Sequence, residues 1–199
     1  MYLNDIIYLI VICIMGVRKL ANILVMYQSK YGATKKYAEW LAERLSCDLI
    51  KTKDANINKV IKYDTIILGG GIYASGIAGI SFLKKNYTKL KDKKIVVFAV
   101  GASPYNEEAI KNLKEHNLRD ELSKIPCFYC RGAWNEEKMS WKDRTLCNML
   151  KKFVLKKDSS KYEPWEKALV EAIGSECDWT SKENINPIID FIEANKEKN

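Results

Sequence analysis

Residues 29–38, SKYGATKKYA, follow directly on the apolar run ANILVMY at 21–27. A continuous apolar run is what a strand buried on both faces requires. The next segment, TKKYAEWLAERL at 34–45, carries Tyr37, Ala38, Leu41, Ala42 and Leu45 on one helical stripe. The ten residues therefore sit where a central strand turns into a helix. Such a turn aims bare backbone amides at one point, and the helix dipole adds partial positive charge. Ser29 and Thr34 add hydroxyl donors around a single glycine, Gly32. The donor set suits a phosphate monoester, while a plain N-capping turn explains the same residues equally well.

Strand and helix signals alternate onward from residue 21. CDLIK (47–51), YDTIILGGG (63–71), KKIVVFAVG (93–101) and IPCFYCRGA (125–133) read as further strands. ISFLKKNYTKL (80–90) and NEEAIKNLKEH (106–116) read as helices between them. In NINPIIDFIEAN (184–195), Asn186 is expected to be the N-cap and Pro187 the first helical residue. Five strands alternating with helices predict an α/β fold, a doubly wound parallel sheet covered on both faces.

Residues 133–180 exceed any ordinary connection and form an insert before the last helix. Within it, SWKDRTLCNMLKKFVLKK (140–157) places Leu146, Met149, Leu150, Phe153 and Val154 at helical spacing. With lysines crowding its polar side, the helix is read either as extra packing, its stripe set on the sheet, or as functional equipment.

The 199-residue chain has a net charge of +8, which favours acidic partners: nucleic acid, an anionic membrane surface or a polyanionic small molecule. A lysine-rich solvated surface accounts for the same number. A hydrophobic content of 47% excludes global disorder. The six cysteines lie mostly in apolar runs, which points to a reducing cytoplasm. With one histidine, only the isolated CFYC has any metal-ligand spacing, and in a strand Cys127 and Cys130 point to opposite faces as core residues. No Walker loop is present, and no acidic pair ends the first strand. Residues 6–17, IIYLIVICIMGV, fall short of the roughly 20 apolar residues that span a bilayer. Residues 1–20 are read either as a short hydrophobic anchor or as an extension upstream of a natural start at Met15. The domain is taken as 21–199.

Ligands of open parallel sheets bind beyond the carboxyl ends of the strands. SKYGAT (29–34), GGGIYASG (69–76) and GASPYNEE (101–108) are the loops found there. GGGIYASG contains G-x-G-x-x-A, yet it follows the third strand, where a dinucleotide fingerprint does not belong.

Tyr27, Ser29, Gly32, Thr34, Ala38 and Leu41 match the flavodoxin signature in spacing. The chain thus resembles the flavodoxin family, which implies a sheet of order 2-1-3-4-5 and flavin mononucleotide (FMN) as cofactor. Carried over, Ser29, Lys30, Tyr31, Gly32, Ala33 and Thr34 would hold the phosphate. Gly71, Ile72 and Tyr73, with Gly101, Ala102, Ser103, Pro104 and Tyr105, would receive the ring, flanked by Tyr73 and Tyr105. RGA (131–133), Trp141-x-Asp143-Arg144 and Asp178-Trp179 also resemble landmarks of menaquinone-dependent protoporphyrinogen IX dehydrogenases. That subgroup implies an FMN-dependent oxidoreductase of heme biosynthesis with a quinone as electron acceptor. A flavodoxin-type electron carrier is the alternative. The implied partners are a quinone or a redox protein, with peripheral contact at the inner face of the cell membrane through the basic insert helix, and no nucleic acid. The chain departs from the subgroup at Glu107, Glu108, Glu136 and Glu137, where basic residues are expected.

Overall fold

The computed structural model describes residues 22–172 and 174–194. The readings of residues 1–20 lie outside the described residues. Strand β1 (Ile23–Gln28) leads into α1 (Ala33–Leu45), followed by β2 (Asp48–Lys51) and the single turn α2 (Ile57–Val60). β3 (Thr65–Tyr73) turns back into the short β4 (Gly76–Ile77), and α3 (Ile80–Leu90) leads to β5 (Lys94–Gly101). α4 (Glu107–Asn117) and β6 (Cys127–Arg131) complete the central sheet. Its order is β2-β1-β3-β5-β6, with β4 antiparallel to β3 and the other pairs parallel. With β4 set aside, this is the 2-1-3-4-5 order expected from the sequence.

The period of two in the central strands divides the core into two layers. Leu24, Met26, Ile66, Leu68 and Val97 face α3 and α4, against Leu83, Leu90 and Leu113. Val25, Ile67, Val96 and Phe98 face the other way, against Tyr37, Ala38 and Leu41 of α1 and Ile188, Ile189 and Ile192 of the last helix. Both layers lie under the loops at the carboxyl edge, so those loops stand on a rigid floor. Cys127 and Cys130 fall in opposite layers, and burial pushes their thiols up to about 11 and about 12. They are packing residues at neutral pH.

The last helix, α7 (Asn186–Ala194), starts differently from the sequence expectation. A 3-10 turn over Lys182–Ile185 precedes it, and Asn186 is already helical at φ −55°, ψ −46°. The capping side chain is Ser181, whose hydroxyl accepts from the Glu183 N–H at 3.4 Å. Asn184 explains the earlier start, since its side-chain amide donates to the Tyr37 hydroxyl at 2.7 Å and ties the turn to α1.

The insert contains β7 (Ala133–Asn135), α5 (Trp141–Val154), α6 (Pro164–Ala172) and β8 (Glu176–Asp178). β7 and β8 pair antiparallel, with Ala133 opposite Asp178, so the two ends of the insert meet in a ribbon beside the sheet. Lys157 and the buried Glu166 join α5 to α6 at 2.5 Å. The apolar stripe does not pack on the sheet. Val154 is fully buried, whereas Met149 and Phe153 are 64% and 61% exposed, and Leu146 and Leu150 are turned toward the first loop. The ribbon holds the insert beside the carboxyl edge of the sheet, where no sheet face is available to the helix. No helix among the described residues is long and apolar enough to cross a membrane.

Candidate cofactor site

Gly32 makes the first loop possible. It sits at φ +103°, a conformation that L side chains rarely adopt, and nothing lies within 4 Å of where a Cβ would be. Its N–H donates to the Ser29 hydroxyl at 3.0 Å, which closes the turn. α1 then begins with no side-chain cap and no acidic residue in its first turn. Thr34 is 2% exposed, and among the described residues its hydroxyl has no hydrogen-bond partner. Uncapped amides, a spare hydroxyl and a helix N-terminus together make an anion cradle.

The second loop is built on a strained hairpin. Ala74 and Ser75 both have positive φ, at 46° and 64°, the sign pattern of a type I′ turn in which neither residue is glycine. Asn117, 2% exposed, holds it there. Its side-chain carbonyl accepts from the Ile77 N–H at 2.9 Å, and its amide donates to the Ser75 and Leu113 carbonyls at 2.8 and 2.9 Å. Asn117→Ala is expected to cost about 1–3 kcal/mol by leaving these groups unpaired. A lowered urea midpoint, with faster hydrogen exchange at Ile77, would register the loss.

Tyr73 folds back over Gly71, where an added Cβ would lie 2.7 Å from the phenol oxygen. That oxygen accepts from the Lys30 N–H at 3.2 Å, joining the second loop to the first. Burial raises the Tyr73 pKa, so the phenol is neutral at physiological pH. The third loop is pinned from β6. Tyr129 donates to the carbonyls of Gly101, at 2.9 Å, and Ser103, while Arg131 Nε donates to Ala102 at 3.2 Å. Arg131 also stacks 4.3 Å from the centre of the Trp179 ring. The RGA and Asp178-Trp179 landmarks therefore meet at this loop.

Two adjoining cavities open at the carboxyl edge. One, of about 300 Å³, is lined by Ser29, Tyr31, Ala33 and Thr34 from the first loop. Gly71, Ile72 and Tyr73, with Gly101 and Ala102, complete its floor. The second, of about 670 Å³, shares Ile72, Gly101 and Ala102 and adds Ser103 and Pro104. Lys30 and Gly32 shape the first loop without lining either cavity. Tyr105 lies apart from both: it is 67% exposed and leans on Tyr129, ring centres 6.3 Å apart.

Residues 24–176 match the flavodoxin domain. The chain belongs to that family. Membership makes FMN the cofactor of this flavodoxin-domain protein. No curated protein matches the chain. Among similar solved structures is the two-electron reduced flavodoxin of Megasphaera elsdenii, at 18% identity over 54% of this chain and 82% of that one, TM-score 0.41. A WrbA-like flavodoxin from Agrobacterium tumefaciens is similar at 23% identity, over 62% and 88%, TM-score 0.41. A Lactobacillus acidophilus flavoprotein in complex with FMN is similar at 17% identity, over 56% and 92%, TM-score 0.39.

The residues of the flavodoxin domain fit this cofactor. The first loop offers amide and hydroxyl donors, one cation in Lys30 and no acidic residue of its own, which suits a phosphate monoester. A further donor stands in the same cavity wall, where Trp134 has a buried indole N–H with no hydrogen-bond partner. Sequence reasoning left out the insert's share of this wall: Trp134, Met139, Asp143, Leu146, Cys147 and Leu150. Asp143 was visible as part of a landmark, but its contact with the first loop spans 113 positions and leaves no periodic trace. Glu107 and Glu108 occupy the first turn of α4, where carboxylates complement the helix dipole.

Proposed function

We propose that this chain is an FMN-dependent oxidoreductase that delivers electrons to a quinone at an anionic membrane surface. The observation that carries this reading is the continuity of one apolar helix face with the cofactor cleft. Leu146 and Leu150 of α5 line the cleft, and Met149 and Phe153 continue the same face into solvent. Trp141, 74% exposed, stands at the head of the helix. Exposed aromatic and apolar residues beside Lys142, Lys152 and Lys156 suit a headgroup boundary, where each lysine is worth about 1 kcal/mol. Lys157 is engaged with Glu166 and is not counted among them.

FMN, when bound, supplies the one- and two-electron redox chemistry. The chain's residues bind, orient and shield. The Ser29–Thr34 turn holds the phosphate, the Tyr129 and Arg131 contacts fix the third loop, and Leu146, Leu150 and Met139 keep water from the cleft. The resemblance to protoporphyrinogen IX dehydrogenases makes protoporphyrinogen IX the first reductant to test.

The test is anaerobic mixing of the FMN-loaded protein with protoporphyrinogen IX and a menaquinone analogue, in the presence of anionic vesicles. Repeated turnover above the uncatalysed background supports the reading. Failure of the photoreduced protein to pass electrons to the quinone, with rapid transfer to a redox protein instead, would assign it to the electron carriers. Sedimentation with the vesicles is expected to fall steeply between about 0.05 and 0.5 M salt, following the screening of lysine charge. Met149→Ser/Phe153→Ser is expected to abolish it. Equal sedimentation of that variant would remove the insert from the membrane contact.

A further inference from the structure

The geometry points to Asp143 as a specificity-determining residue of the cofactor loop: a resident carboxylate that competes with the cofactor's phosphate for Lys30, so that phosphate binding releases the start of α5. This inference rests on residues 29–34 being the phosphate cradle.

Asp143 comes from the first turn of the insert helix, yet its Oδ2 takes both the Lys30 ammonium and the Tyr31 hydroxyl. Tyr31 in turn accepts from the N–H of Ser140, the residue that caps α5 at Asp143 N. One carboxylate and one cap thus bind the head of the insert to the middle of SKYGAT. Lys30 and Tyr31 hold Asp143 below its ordinary value of 3.8, so it is ionised at physiological pH. The carboxylate lines the same 300 Å³ cavity as Ser29 and Thr34. A phosphate entering that cavity therefore meets a negative charge that already occupies the loop's cation.

The two donors differ in freedom. Lysine is a point charge on a flexible stem and can move to a new anion. Tyr31 is steadied by its edge-on contact with Tyr73, ring centres 6.2 Å apart at 73°. Transfer of Lys30 to the phosphate leaves Asp143 with one donor and a like charge nearby, which loosens the head of α5. The far end of the insert has its own tether, in which Lys36 of α1 holds Asp178 at 3.0 Å and Thr180 at 2.7 Å. Asp178 is held down at about 2, chiefly by the Thr180 hydroxyl, then by the Thr180 N–H and by Lys36. Release at Asp143 alone turns the insert into a hinged flap. Coupling of this kind is reciprocal, so whatever opens the flap tightens phosphate binding by the same factor.

The experiment compares FMN and riboflavin affinities by flavin-fluorescence titration in wild type, Asp143→Asn and Tyr31→Phe. For a half-exposed ion pair the expected change is modest, with FMN bound about 2–5-fold more tightly by Asp143→Asn and riboflavin unchanged. Tyr31→Phe keeps Lys30 paired with Asp143 and should gain no FMN affinity, and trypsin cleavage of wild type is the second measure should Asp143→Asn fold poorly. In Lys30→Met, adding Asp143→Asn should no longer recruit a cation and the gain should shrink. Trypsin cleavage within residues 141–152 of wild type is expected to speed up with FMN and not with riboflavin. FMN affinity unchanged or weakened in Asp143→Asn overturns the proposal, as does an equal shift for riboflavin. Wild type that binds FMN no better than riboflavin would instead sink the cradle itself, and the proposal with it.

Discussion

Thr34→Leu is expected to weaken FMN binding by roughly 10- to 100-fold, the equivalent of one lost hydrogen bond to a charged group at about 1.5–3 kcal/mol. Thr34 is 2% exposed at the second helical position and its hydroxyl has no partner among the described residues. Leucine removes that donor and pushes a larger apolar group into a turn closed by the Ser29–Gly32 bond. Thr34→Ser keeps the hydroxyl and should stay within a few-fold of wild type. Riboflavin, which lacks the phosphate, should lose much less than FMN in Thr34→Leu. The measurement is again flavin-fluorescence titration, with circular dichroism to establish that the variant is folded. Equal FMN affinity in the two variants would remove Thr34 from the phosphate site.

The parts of the molecule legible in sequence are those governed by local period. The buried runs 23–27, 65–71 and 95–100 read as central strands because each residue in them lies within one layer or the other. Asn106 could be placed at the head of a helix because a cap acts on its own neighbours, here the Ala109 N–H at 2.8 Å. Asn186 failed for the opposite reason. Its Asn-Pro pair looks like a cap in isolation, but the contact that sets the helix start is tertiary, from Asn184 to Tyr37. The α5 stripe failed likewise: helical spacing shows that a face is apolar and not what lies opposite it. The loops Ser29–Thr34, Gly71–Tyr73 and Gly101–Ala102 converge because parallel strands end at one edge. Tyr105 falls outside because a rigid floor does not fix which way the fifth residue of a loop turns.

Gly69 shows the same limit from the packing side, and its contact with Phe98 carries the largest expected effects on stability. In sequence it opens a G-x-G-x-x-A string. In the sheet it stands opposite Phe98 on β5, whose ring lies across it. A Cβ on Gly69 would come within 2.0 Å of Phe98 Cζ and 2.5 Å of Cε1, distances no contact survives. The ring has nowhere to go, since Phe98 is fully buried in the layer formed with α1 and α7. Gly69→Ala is therefore expected to destabilise by about 3 kcal/mol, the upper end for overpacking. Phe98→Ala, which leaves a cavity instead, should cost about 3–5 kcal/mol. The decisive variant is the pair. Gly69→Ala combined with Phe98→Leu relieves the clash with a smaller side chain, so the double variant should be more stable than the sum of the singles predicts. Urea midpoints at constant m-value measure the pair, its two singles Gly69→Ala and Phe98→Leu, and Phe98→Ala. Gly69 lines neither cavity, so FMN affinity in the folded fraction should stay within about 2-fold of wild type. Lost FMN affinity at undiminished stability would make Gly69 a cofactor contact after all, and its place beneath Phe98 incidental.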